Sequence, residues 1–159
     1  MLFEMVQMED LSGEAAKIYS VVLEGDELSL LEHFVLDNSE HASDVDIMIK
    51  KLFKMGHEVG CRPQFFKANE GAPGDGMVAM RQRHMRLYCL RYDNTCIFVG
   101  SGGYKPPGIA AYQDNEVLNN QAQQMRRICA SINKAIIEKD LKIHQNGDIE
   151  MINWLNLEI

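Results

Sequence analysis

The chain has 159 residues, 46% of them hydrophobic and 25% charged, a composition that fits one ordinary globular domain and excludes a disordered or low-complexity chain. Its formal net charge of −7 works against non-specific attraction to nucleic-acid phosphates over the surface as a whole. Nothing in it approaches the roughly 20 apolar residues of a membrane span, and the opening MLFEMVQMED lacks the basic and long apolar regions of a signal peptide, so a cytoplasmic protein without a membrane partner is expected.

Residues 1–16 mix Met, acids and Gly13 without a clear period and read as a flexible or partner-binding lead-in to a single domain over 17–159. Lys17 to Leu23, KIYSVVL, is rich in β-branched and aromatic residues and predicts the first strand, closed by Gly25 and Asp26. From Glu27, the apolar residues Leu28, Leu31, Phe34 and Val35 predict an amphipathic helix. A second follows with Val45, Met48, Ile49, Leu52 and Phe53 on one face, a capping box at Ser43 and Asp46, and Gly56 near its end, so the pair predicts an αα-hairpin.

Strands are expected at Gln64 to Ala68, Val78 to Gln82, Met85 to Tyr92 and Thr95 to Val99, and the turn residues Ala72 to Gly76 and Asp93-Asn94 make them antiparallel neighbours. A loop over Gly100 to Gly108 then leads to the longest helix, from an N-cap at Asp114 to about Lys139, whose Leu118, Ala122, Met125, Cys129, Ile132 and Ile136 form one seam. Asn146-Gly147 signals a type I′ hairpin, and Trp154 and Leu157 are placed to close over the core. The expected fold class is α+β: an antiparallel sheet with an N-terminal αα-hairpin and a long C-terminal helix.

Charge is unevenly distributed. Residues 1–60 hold thirteen acids and four Lys or Arg, whereas Met77 to Lys105 holds five bases (Arg81, Arg83, Arg86, Arg91, Lys105) against Asp93 alone. A basic, Tyr-containing β segment suits a phosphate ligand, because guanidinium forks match phosphate oxygens and phenols stack or transfer protons. Alternation places Arg86, Tyr88, Leu90 and Tyr92 on one face of their strand, so Arg86 and Tyr88 either clamp a phosphate and move its protons or serve as a solvated arginine and a core tyrosine.

Arg81 and Arg83 share a face, and His84 lies in the following turn, where an imidazole suits proton transfer near neutrality. Gly100-Ser-Gly-Gly-Tyr-Lys105 lacks the spacing of a nucleotide-triphosphate loop; its glycines permit either a ligand's close approach or a tight strand exit, with Lys105 delivered at the end. Cys61, Cys89, Cys96 and Cys129 contain no C-x-x-C pair and read as buried reduced thiols. Neither a metal site nor a cofactor is expected.

The order strand, two helices, antiparallel strands with R-L-Y-C-L-R-Y, then V-G-S-G-G-Y-K, then Y-Q-D before a long helix resembles the RelE/ParE toxin superfamily, most closely its ParE-like branch, over about Ile18 to Ile143. The resemblance implies a toxin of a bacterial type II toxin–antitoxin system, with a cognate antitoxin as partner and mRNA on the ribosome or DNA gyrase as target. It implies metal-independent endoribonuclease chemistry by Arg86 and Lys105, with Tyr88 a weaker match, and places Tyr112 and Gln113 where they either bind a phosphate or fix the loop; the basic segment itself adds His84 as a catalytic candidate and Arg81, Arg83 and Arg91 as RNA-phosphate contacts. Two features depart from the family pattern: Pro106 to Ala111 lacks Thr and Arg, and the whole chain is acidic. They set the alternative, a gyrase inhibitor or a non-catalytic partner-binding module of the same fold. The sequence leaves a homodimer open.

Overall fold

The structure, a computed structural model, describes residues 1–68, 76–108, 115–153 and 157–159. The strands are β1 (Leu2–Gln7), β2 (Lys17–Leu23), β3 (Phe66–Ala68), β4 (Met77–Gln82), β5 (Met85–Tyr92), β6 (Cys96–Tyr104), β7 (Leu141–Ile143), β8 (Ile149–Met151) and β9 (Leu157–Glu158). The helices are α1 (Leu30–Asp37), α2 (Ala42–Lys54) and α3 (Glu116–Ile137). Among the described residues, seven strands form one sheet in the order β3-β4-β5-β6-β2-β1-β9, with β7 and β8 as a separate hairpin. The fold is thus α+β with a mostly antiparallel sheet and a long helix towards its C-terminal end.

Three expectations about the order and extent of the strands need correction. The N-terminal element is a strand, not the αα-hairpin: Phe3 to Gln7 of β1 pair antiparallel with Leu23 to Tyr19, so the expected lead-in contains an ordered sheet strand. Its acids disguise it, because Glu4 is an exposed position of the pleat while Phe3 is buried. The sheet is also not wholly antiparallel, because β6 returns beside β2 in parallel, Lys17 opposite Cys96 through Ser20 opposite Val99. Finally, Gly100 to Tyr104 belongs to β6 and not to a loop.

Gly102 shows why. A Cβ there would lie 1.8 Å from the Arg86 carbonyl oxygen, so glycine is what allows β6 to stay against β5. A register shift opposite Leu87 to Cys89 marks a bulge there. Gly102 therefore serves strand packing.

Local signals explain the helices. Glu32 N–H donates to Ser29 Oγ (3.2 Å) and Ser29 N–H to Glu32 Oε1 (3.1 Å), a capping box that opens α1. The box expected at Ser43 and Asp46 does not form: a short 3₁₀ turn, Ser39–His41, feeds straight into α2 and leaves both residues inside the helix. Asn115, one residue beyond the expected Asp114, caps α3 by accepting from Leu118 N–H (3.0 Å). The β7–β8 hairpin exists, but only Gly147 has positive φ (98°), which excludes type I′. Its loop is instead shaped by docking, with Tyr19 Oη donating to the Gly147 carbonyl (3.2 Å).

The sheet separates two cores. On one face α1 and α2 bury Phe34, Val45, Met48 and Leu52 against Ile18, Leu87, Ile97 and Val99. On the other, the α3 seam of Leu118, Ala122, Met125, Cys129 and Ile132 packs on Tyr19, Tyr88, Leu90 and Phe98. Covered on both faces, β5 is buried from Met85 through Leu90. Its sequence alternation therefore separates two cores and does not separate core from solvent.

Candidate functional site at the β4–β5 turn

Chain connectivity collects the cations at one end of this sheet. Gln82 pairs with Met85, so Arg83 and His84 form the tip of the β4–β5 hairpin, and Arg83 takes a left-handed backbone (φ 53°). Both side chains are exposed, as is Arg81. Arg81 stands directly opposite Arg86 across the ladder, and Arg86 opposite Gly103. Like charges in direct cross-strand register repel, at a cost of order 0.2–1 kcal/mol, and an anion touching both would offset that cost.

Arg86 is buried and clasps the turn: its Nη1 donates to the carbonyls of Arg83 and Met85, each at 2.9 Å. Lys105 N–H donates to the His84 carbonyl (2.7 Å), tying the end of β6 to the same turn, and the Lys105 side chain is only 9% exposed. Leu118, in the first turn of α3, lies over Gly103, which brings the N-terminal end of α3 to this end of the sheet.

Tyr104 adds an aromatic element that sequence reading missed. Its ring stacks on His41 (centroids 4.5 Å apart, 11° between planes) and meets His84 edge-on (5.9 Å, 74°). Two imidazoles thus flank one phenol at the same end of the sheet as the exposed arginines. Nearby, Lys51 Nζ donates to Gln82 Oε1 (2.9 Å), fixing α2 against the end of β4. The alternation of β6 would have placed Tyr104 had the strand been followed through its glycines; His41 arrives from the α1–α2 joint, more than sixty positions earlier, with no local signal.

The remaining expected site residues divide. Tyr88 is fully buried under α3, the core position that alternation left open. Arg91 lies at the far end of β5, roughly 17 Å from Arg86 at about 3.4 Å per residue. Its Nε donates to the Cys61 carbonyl (2.5 Å) and its Nη2 to Asn94 Oδ1 (2.6 Å). Tyr112 and Gln113 lie outside the described residues.

The turn can therefore hold phosphate oxygens on Arg81 and Arg83, with His84 at the surface for proton transfer. Among the described residues no group of three or more His, Cys, Asp or Glu is placed to hold a metal ion. Nor is any described helix long and apolar enough to cross a membrane. No protein-family model matches the chain, and neither do any curated protein or solved structure.

Proposed function

We propose that the protein is a toxin of the RelE/ParE type acting on RNA as a metal-independent endoribonuclease, in the cytoplasm and under control of a cognate antitoxin. The observation that carries this reading is the exposed cationic turn of Arg81, Arg83 and His84 beside the His41–Tyr104–His84 stack. Arg81 and Arg83 bind the scissile phosphate and neutralise charge that grows on its non-bridging oxygens. His84 takes the proton from the ribose 2′-OH, whose oxygen then attacks phosphorus. The P–O5′ bond breaks, and a water or His41 protonates the leaving oxygen, giving a 2′,3′-cyclic phosphate and a 5′-hydroxyl.

Arg86 and Lys105 act in this scheme from beneath the turn. They hold its backbone and raise the local positive potential. The burial of Arg86, Tyr88 and Lys105 supports a second reading, in which the same surface binds gyrase or another partner without cleaving RNA.

Induced expression in bacteria, with growth and mRNA 5′ ends followed together, separates the two. The ribonuclease reading expects growth arrest with new 5′-hydroxyl ends, both lost in the Arg81→Ala/Arg83→Ala/His84→Ala variant, whose exposed changes leave the core alone. Arrest with trapped DNA breaks and no new RNA ends would establish the gyrase reading instead. Normal growth of the wild type would sink both toxic readings.

A further inference from the structure

A second surface, on the α1–α2 side of the sheet, has the opposite character from the cationic turn. Segment 7–11, α1 and α2 enclose an open groove of about 1130 Å³. Its floor and walls are apolar: Met8, Leu31, Val35, Leu36, Val45 and Ile49. Two of these are conspicuously exposed for aliphatic side chains, Leu36 at 61% and Val35 at 39%. Their place on the last turns of α1 is where an amphipathic helix would normally be covered.

The rim carries charge of one sign. Glu9, Asp10, Glu32 and Asp46 line the groove, and among the described residues no Lys, Arg or His does. Asp46 also pairs with exposed Lys50 at 2.9 Å, an i,i+4 contact between two well-solvated side chains. An apolar trough between acidic lips is complementary to a helix with an apolar stripe flanked by Lys or Arg. A second copy of this chain is a poor occupant: a two-fold dimer through the groove would set the same acids against each other, and the chain's net charge is −7.

We infer that this groove docks a basic amphipathic helix contributed by another protein, with Val35, Leu36 and Ile49 meeting its apolar stripe and Glu9, Asp10 and Glu32 its cations. The groove requires no activity at the β4–β5 turn, so the inference stands or falls apart from the proposed function. The groove lies on the sheet face opposite Tyr88, and its lining residues Ser39 and Ala42 flank His41.

The probe is a synthetic Leu/Lys helix of about 18 residues, near 27 Å long, with Leu on one face, compared with a Leu/Glu helix of identical Leu pattern. Each is titrated into the full-length isotope-labelled chain, with amide shifts and calorimetry recorded. The inference expects saturable binding of the Leu/Lys helix alone, with shifts concentrated at residues 7–11 and 31–49. It expects affinity to fall about tenfold in Val35→Ser/Leu36→Ser and again in Glu9→Lys/Asp10→Lys. The second variant reads charge alone and keeps the test sharp if the first disturbs α1. Absence of saturable binding, equal affinity for both helices, or affinity unchanged in both variants would overturn it. Concentration-dependent dimerisation abolished by Val35→Ser/Leu36→Ser would assign the groove to a second copy and overturn it as well.

Discussion

The two ends of β5 use the same residue types to opposite effect. Each adjoins a tight turn with a non-glycine residue in the left-handed region, Arg83 (φ 53°) before the strand and Asp93 (φ 54°) after it. At the Arg83 end, Arg81, Arg83 and His84 reach the surface above the buried Arg86 and Lys105. At the Asp93 end, Arg91 is held by the Cys61 carbonyl and Asn94, Tyr92 Oη donates to Asn133 Oδ1, and Tyr19 Oη binds the Gly147 carbonyl. One end thus exposes its polar groups and the other consumes them in joining elements distant in sequence. An arginine in a strand reports a function only where the packing around it leaves its charge facing solvent.

The largest break in this comparison should come from Gly102→Ala. The added carbon would meet the Arg86 carbonyl at 1.8 Å, so β5 and β6 must part where the cationic turn is anchored. A loss of about 3 kcal/mol or more is expected in chemical denaturation, with amide exchange quickening first at residues 84–87 and 102–105. Stability within about 0.5 kcal/mol of wild type would show that the strands reseat without cost.

Arg91→Ala tests the far end. It strips the Cys61 carbonyl and the Asn94 side chain of their donor, and about 1–2 kcal/mol of stability should go with it while the RNA binding proposed for the β4–β5 turn stays unchanged. A fall in RNA affinity without loss of stability would return Arg91 to the binding surface.

Alkaline pH should loosen the same end selectively. Burial pushes the Cys61 thiol up from 9.0 to about 12, with Arg91 opposing, and pushes the Tyr19 phenol from 10.0 to about 12, while burial raises Cys96 and Tyr92 in the same direction. A raised folded value means the protonated form is favoured in the native state. The stability it contributes is therefore complete below about pH 9, where the unfolded thiol is also protonated, and is lost as pH rises towards 12. Amide exchange from pH 8 to 11 should accelerate at residues 60–62 and 91–97 before it does at 81–86, and a uniform response would erase the distinction.

The smallest effect separates the two turns themselves. Arg83→Gly should stabilise by under about 1 kcal/mol, because a long L side chain in the left-handed region is strained. Asp93→Gly should change stability less, since Asp tolerates that conformation. Equal shifts in melting temperature for the two would count against backbone strain at Arg83.

Much of this was legible beforehand, and the exceptions share a cause. The bounds Met85 to Tyr92 follow from a run of alternating β-formers closed by turn residues, and the α3 seam from apolar spacing, because both signals lie within a few residues of one another. β1 escaped notice because a strand that pairs with only a hairpin partner and a two-residue strand keeps polar positions along its length. The extension of β6 escaped because glycines that normally end a strand here permit its close approach to β5.

By itself the sequence determined the three helices, most of the central strands and the concentration of positive charge between Met77 and Lys105, since each is written in local spacing and composition. Tertiary structure decided which of those charges reach solvent. Packing of α3 buried Tyr88, and closure of the β4–β5 hairpin turned Arg86 inward while leaving Arg81, Arg83 and His84 outside. The parallel return of β6 brought Tyr104 to His41 across a separation that no local pattern encodes. Exposure and long-range pairing depend on what the rest of the chain places overhead, so only the folded molecule fixes them.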